Sequence, residues 1–219
     1  MLVSTETRWI LNSDQFKIIQ DWFAIQNLAF EQENYFPRQD YYLITNSERL
    51  GIKLREPKRN EKGEQESKLE IKVLSTDLGP QKFNNGNNGN VNSWLKYSFE
   101  TIPNEAETGS IIKSFVGNET DRNWLKIEKD RLLIKFDTLE NQLVDGKKII
   151  DEGAGIELTK FKLKQNIYYS LGVEAFSMTK KELINFNQTI DFLFHQIKIS
   201  GLHHLESLSY PQIIKKDSL

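Results

Sequence analysis

Residues 155–176 read GIELTKFKLKQNIYYSLGVEAF. Two alternating runs, 155–163 and 167–176, flank Gln165 and Asn166, which predicts a β-hairpin turning there. Successive strand side chains point to opposite faces. In the second run, Ile167, Tyr169, Leu171, Val173 and Ala175 therefore share one face, and Tyr168, Ser170, Gly172 and Glu174 the other.

The same division holds outward from this hairpin. Ile52 and Leu54 oppose Lys53 and Arg55. Leu69, Ile71 and Val73 oppose Glu70 and Lys72, and Leu95, Tyr97 and Phe99 oppose Lys96, Ser98 and Glu100. Leu125 and Ile127 oppose Lys126 and Glu128, and near the start Val3, Thr5 and Thr7 alternate with Ser4, Glu6 and Arg8. Strands are thus predicted at 3–11, 50–56, 68–74, 94–100 and 123–136, the last long enough to be two strands joined near Asp130. Residues 35–45 form an aromatic, extended segment.

Two helices complete the reading. Asn12 or Ser13 supplies an N-cap for a short helix with Phe16, Ile19 and Phe23 on one face and Trp22 beside them. Thr179 and Glu182 make a capping box for a second helix. Its stripe of Leu183, Phe186, Ile190, Leu193, Phe194 and Ile197 is expected to pack on the sheet. The polar stretch 57–67 is expected to join two strands, and the Asn- and Gly-rich stretch 79–92 to be a mobile loop. No repeat of fixed period is present, and the 219 residues suit a single domain.

Composition narrows the partners. Apolar residues make up 38% of the chain and charged residues 27%, yet the net charge is only −2. Mixed signs give no broad attraction to nucleic acid or to an acidic membrane. The absence of cysteine excludes disulfides and thiolate zinc sites. Met1 to Ile10 lacks a signal peptide's apolar core, no run of about 18 apolar residues occurs, and a cytoplasmic location is expected. His195, His203 and His204 read as surface or capping residues, and Trp9, Trp22, Trp94 and Trp124 as core or rim.

Alternation alone leaves two architectures open. One is a half-exposed sheet with its charges in solvent. The other is a closed barrel whose apolar face is outside, under helices, and whose charged face lines a tunnel. Inward Lys and Arg would then grip phosphate oxygens, and inward Glu would hold a hard cation.

The order of the pieces resembles the CYTH or triphosphate tunnel metalloenzyme superfamily, which includes thiamine triphosphatases, inorganic triphosphatases and class IV adenylate cyclases. The family's N-terminal E-x-E-x-K strand is similar to Ser4-Thr5-Glu6-Thr7-Arg8, with Ser4 replacing the first Glu and Arg8 the Lys. The replacement at Ser4 removes one of the paired glutamates that help the family hold its metal. Lys53-Leu54-Arg55 resembles the basic R-x-R strand, Glu70-Ile71-Lys72 the next strand, Lys129 and Arg131 the later K-x-R pair, and Ser209-Tyr210-Pro211 a late S-Y-P. The hairpin at 155–176 resembles the acidic strands, with Glu157 and Glu174 as candidates.

The resemblance spans about residues 4 to 213. It implies an α+β fold: a closed antiparallel β-barrel of about eight strands with a charged tunnel interior and flanking helices. Arg8, Lys53, Arg55, Lys72, Lys129 and Arg131 would bind phosphate, with Lys96 and Glu128 as weaker tunnel candidates. Glu6, Glu157 and Glu174 would hold Mg2+ or Mn2+. The implied ligand is a small-molecule triphosphate or inorganic polyphosphate. The implied activity is a metal-dependent triphosphatase, with an inactive binding tunnel or a nucleotidyl cyclase as the other readings.

Overall fold

The computed structural model describes residues 2–30, 37–59, 65–101 and 123–218. Nine strands run antiparallel: β1 (Leu2–Leu11), β2 (Arg38–Leu43), β3 (Leu50–Arg59), β4 (Gln65–Lys82), β5 (Asn88–Thr101), β6 (Trp124–Asp137), β7 (Gln142–Asp145), β8 (Glu152–Leu163) and β9 (Asn166–Ser177). Their order is β2-β3-β4-β5-β1-β9-β8-β6-β7. A further pairing of β2 with β6 closes the first eight into a barrel, with β7 added outside the ring. Closure removes the free edges that would otherwise template aggregation.

Register decides the two faces. On the outside of β1, β8, β9 and β6 lie Trp9, Leu11, Ala154, Ile156, Leu158, Leu171, Val173, Leu132 and Phe136. Helix α1 (Ser13–Ile25) covers part of this face with Ile19, Trp22 and Phe23, and α2 (Glu182–Gln196) with Phe186, Ile190, Leu193 and Phe194. Each such side chain contributes about 1.5–3 kcal/mol by leaving water. Asn12 caps α1 reciprocally: Gln15 N–H donates to Asn12 Oδ1 at 2.9 Å, and Gln15 Oε1 accepts from Asn12 N–H at 3.0 Å. The described helices do not cover the β4–β5 wall, where Val73, Tyr97 and Phe99 are exposed.

Several expectations are corrected. Residues 123–136 do not break at Asp130, because β6 keeps an unbroken register with β8 from Ile127↔Leu163 to Asp137↔Gly153. The charged pair Lys126 and Glu128 faces solvent, bound to each other at 3.0 Å, while Ile127 points inward. Glu128 is therefore no tunnel residue.

Thr179 does not cap α2. The left-handed turn at Lys180 (φ 64°) puts Lys181 at the N-cap, and the Thr179 hydroxyl donates instead to Glu152 at 2.9 Å. The stretch 57–67 joins two strands as expected, with β3 running to Arg59 and β4 starting at Gln65; residues 60–64, like 35 and 36, lie outside the described residues.

Residues 79–92 form an ordered hairpin arm. Left-handed Asn85 and Gly86 (φ 60° and 73°) turn the chain between β4 and β5. Asn side chains then bind the end of α2 and the segment after it: Asn85 to Phe194 O at 2.8 Å, Asn87 to Ile199 O at 3.0 Å, and Asn90 to His204 O at 2.8 Å.

Among the described residues a third helix, α3 (Tyr210–Ser218), was not foreseen. Its approach runs along β1, with Ser207 bridged to Trp9 and Leu208 N–H donating to Arg8 O at 3.0 Å. Ile213 and Ile214 then enter a second core with the inward-facing Tyr42, Ile127, Phe161 and Leu163. Lys215 pairs with Glu48 in the β2–β3 turn at 2.8 Å, and Asp217 with Lys164 in the β8–β9 turn at 3.0 Å. The helix therefore lies across one end of the barrel. No described helix is long and apolar enough to cross a membrane.

Candidate tunnel site

The inner face encloses a cavity of about 320 Å³. Among the described residues, nine basic ones line it: Arg8, Arg38, Lys53, Arg55, Lys72, Lys96, Lys129, Arg131 and Lys135. Four glutamates also line it (Glu6, Glu70, Glu157 and Glu174), and Asp40 is wholly buried beside Lys129. With all these groups ionised, four positive charges are in excess. All nine residues singled out from the sequence thus meet in one space, brought there from six strands.

The charges form four groups, because an unpaired buried charge costs several kcal/mol. Glu157 on β8 is held by Arg131 at 3.0 Å and Arg8 at 3.4 Å, and accepts from the Thr159 hydroxyl at 2.8 Å. Burial pushes its carboxyl up, but Arg131 and Arg8 outweigh that and hold it well below the usual range. Gly172 lies opposite Arg8 across β1 and β9, and a Cβ there would stand 2.8 Å from Nη2; its absence makes room for the guanidinium.

Lys72 reaches from β4 to two carboxylates at once, Glu6 at 2.7 Å and Glu174 at 2.9 Å. These glutamates are directly opposed on β1 and β9, a repulsive placement for like charges without a cation between them. Burial lowers the Lys72 ammonium, but Glu174 and Glu6 outweigh it and raise it above its ordinary value. Glu70 draws three cations together: Lys53 at 2.6 Å, Arg55 at 3.0 Å and Lys96 at 3.3 Å.

Asp40 pairs with Arg38 at 3.0 Å and Lys129 at 3.1 Å, and the Lys129 ammonium also donates to the Tyr42 hydroxyl at 2.8 Å. Not all of these amines keep their ordinary basicity. Burial first, then Arg38 and Arg55, lower Lys53 to about 8 against the pull of Asp40 and Glu70. Burial lowers Lys129 well below its ordinary value, aided by Arg38 and Lys53.

Hydrogen-bonding capacity is left over. Among the described residues, Arg38 Nε, Arg131 Nε, Trp94 Nε1 and the Tyr210 hydroxyl are buried and find no protein acceptor. All four side chains line the cavity. A buried donor without an acceptor costs about 1–3 kcal/mol, so such a cluster is suited to an oxygen-rich ligand. Ser4, where the resemblance implies a glutamate, is buried opposite Trp94 and Phe176 with its hydroxyl also unpartnered. Among the described residues no three His, Cys, Asp or Glu side chains gather at metal-binding spacing.

Arg38, Asp40, Tyr42 and Lys135 escaped the sequence reading, and Tyr210 entered it only within the S-Y-P stretch, with no place in the site. Arg38, Asp40 and Tyr42 do alternate in 35–45, but the aromatic content there hid the inward face. Tyr210 comes from a segment with no strand or helix signal before α3. The three histidines stay out of the cavity lining, as expected; His204 binds Asn88 Oδ1 at 2.8 Å.

The fold of this chain has likenesses among solved structures. One is the PH1819 protein from Pyrococcus horikoshii OT3, with a TM-score of 0.53 and 14% identity over 98% of this chain and 99% of that one. At that identity the likeness is one of fold alone. The Hippeastrum adenylyl cyclase HpAC1, described as having a dominant triphosphatase activity, has a TM-score of 0.47 and 13% identity over 100% and 97% of the two chains. The Mimivirus capping enzyme triphosphatase has a TM-score of 0.42 and 10% identity over 91% of each chain. No family model matches the sequence, and no curated protein does.

Proposed function

We propose that this chain is a divergent triphosphatase-like phosphohydrolase that binds the polyphosphate group of a small molecule, or inorganic polyphosphate, inside the tunnel. The observation that carries the reading is the excess of inward cations over carboxylates together with buried donors that lack acceptors. A polyphosphate supplies both the missing negative charge and the missing oxygens. Arg8, Lys53, Arg55, Lys72, Lys129 and Arg131 are its proposed contacts, with Arg38 and Lys96 added.

The carboxylates suit a divalent cation sparingly. Glu157 is engaged by Arg8, Arg131 and Thr159, and is better read as the counter-ion that orients the guanidinium groups. Glu6 and Glu174 remain, opposed across two strands and open to the tunnel, with Lys72 between them. Two carboxylates are enough for magnesium or manganese when phosphate oxygens and waters complete the shell. Such an ion, when bound, polarises the phosphoryl group for attack by water.

Two features favour binding without hydrolysis as a second reading: Ser4 offers no carboxylate, and Lys72 occupies the remaining pair. The test uses the purified chain with tripolyphosphate, thiamine triphosphate or ATP, each with Mg2+ or Mn2+. Released phosphate that a chelator abolishes supports the hydrolase. Thermal stabilisation without release supports the binding protein. Neither effect with any of the three overturns both.

A further inference from the structure

Strands β3, β4 and β5 turn Lys53, Glu70, Lys72 and Lys96 into the tunnel, so their alternate residues form the outside of that wall. Those residues are apolar. Ile52, Ile71 and Tyr97 stand in one cross-strand row, and Leu50, Val73 and Leu95 in the next. Among the described residues, no member of either row belongs to the two apolar cores, and Val73, Tyr97 and Phe99 leave 36%, 37% and 52% of their surface to water. A contiguous apolar face of this kind marks a contact surface. Helices α1 and α2 pack on β1, β8 and β9 instead.

Strand direction shows what passes over this face. β5, β4, β3, β2 and β6 are joined by four successive antiparallel pairings, so β5 and β6 run the same way. β5 therefore ends at Thr101 at one end of the barrel, and β6 starts at Trp124 at the other. Residues 102–122, outside the described residues, must return along the height of the barrel. A parallel crossover of this kind needs about a dozen residues, and about 20 are present. The inside holds the tunnel, and α1 and α2 lie on β1, β9 and β8, which leaves the route over β4, β3 and β2. Within 102–122, Ile111, Ile112, Phe115 and Val116 recur at i, i+1, i+4 and i+5, the spacing of one helical face. We propose that residues 102–122 run back over the outside of β4, β3 and β2 and lay these four side chains on the apolar wall. The wall is then an internal docking face and not a surface for a second copy of the chain.

The chain has no cysteine, so pairs can be introduced without interference. In the full chain, Ile112→Cys is combined with Tyr97→Cys, with Val73→Cys, or with Ile184→Cys on the exposed side of α2, and treated with a short bismaleimide at low protein concentration. Peptide mass mapping should show a link within one chain to Tyr97→Cys or Val73→Cys and none to Ile184→Cys. Links only between chains, links to Ile184→Cys as frequent as to the wall, or no link to either wall position overturn the proposal. Phe115→Asp gives a second reading that is independent of cross-linker reach. It should raise the fluorescence of an apolar dye and lower the thermal midpoint by about 4 °C or more, as Tyr97→Asp should. The double variant should fall short of the sum of the two shifts, because both remove the same contact. An unchanged midpoint for Phe115→Asp, or additive shifts, overturns the proposal. So does an unaltered chain that sediments as a dimer and becomes a monomer on Tyr97→Asp, which assigns the wall to a second copy.

Discussion

Replacing Glu70 with Gln should move stability and ligand response in opposite directions. Glu70 has 2% of its side chain exposed and binds Lys53, Arg55 and Lys96 within 3.3 Å. Breaking a sealed buried ion pair costs about 3–5 kcal/mol, because the surviving charge is left uncompensated. The three cations here keep 16–24% side-chain exposure, so water screens them in part. A loss of about 2–3 kcal/mol is the expected result. The variant tunnel also carries one more positive charge, and should hold a polyanion more tightly. Tripolyphosphate at a hundred times its Kd adds about 2.7 kcal/mol to the unaltered chain. It should add more to Glu70→Gln, so that the gap between the two narrows.

Urea denaturation with and without tripolyphosphate measures both quantities. Acid gives a third check. Lys53, Lys96 and Arg55 outweigh the effect of burial and hold the Glu70 carboxyl below its ordinary range. A carboxyl depressed in the folded state contributes stability above its unfolded pKa of about 4.3 and loses it as pH falls further. The gap between the two proteins should therefore shrink below about pH 4. A variant as stable as the parent without ligand, or a gap that widens with ligand, would refute the reasoning.

Gly172→Ala places a methyl group 2.8 Å from Arg8 Nη2 and forces the guanidinium aside. Calorimetry should show tripolyphosphate affinity reduced by about 1.5–3 kcal/mol, the scale of a charged hydrogen bond, and equal affinity would remove Arg8 from the site. Asn87→Ala removes a buried amide that binds Ile199 O at 3.0 Å and Leu202 N–H at 3.1 Å, and should cost about 2–3 kcal/mol in thermal unfolding without touching the tunnel. Lys53 titrates near 8 among Arg38, Arg55, Asp40 and Glu70, so above that pH its amine is neutral. A bound polyanion raises it again, so binding takes up a proton and weakens from pH 7 to pH 9. Calorimetry in buffers of different ionisation heat reads the proton directly, and a heat independent of buffer would exclude uptake.

Much of the tunnel is local information. A strand places residues two apart on one face whatever surrounds it, so Lys53 with Arg55 and Glu70 with Lys72 were legible as shared faces from spacing alone. So were a cap at Asn12 or Ser13 and the apolar stripe of α2 from Phe186 to Ile197, although Leu183 of that stripe is exposed. Spacing could not tell which side of β6 faced inward, because Lys126 with Glu128 and Lys129 with Arg131 lie on opposite faces of one unbroken strand. Only closure against β2 and β8 decided that the second pair enters the tunnel.

The same holds for partners far apart in the chain. Lys72 joins Glu6 and Glu174, separated from it by 66 and 102 positions, and Tyr210 arrives over Arg8 and Lys129 by way of the bridge at Ser207. The sequence by itself determined alternation, the cap of α1 and the supply of charge, since each arises between near neighbours. Barrel closure and the pairing of the inward charges were decided only by the tertiary structure. They depend on which strands become adjacent, and the cost of burying unpaired charge then requires those distant partners to meet.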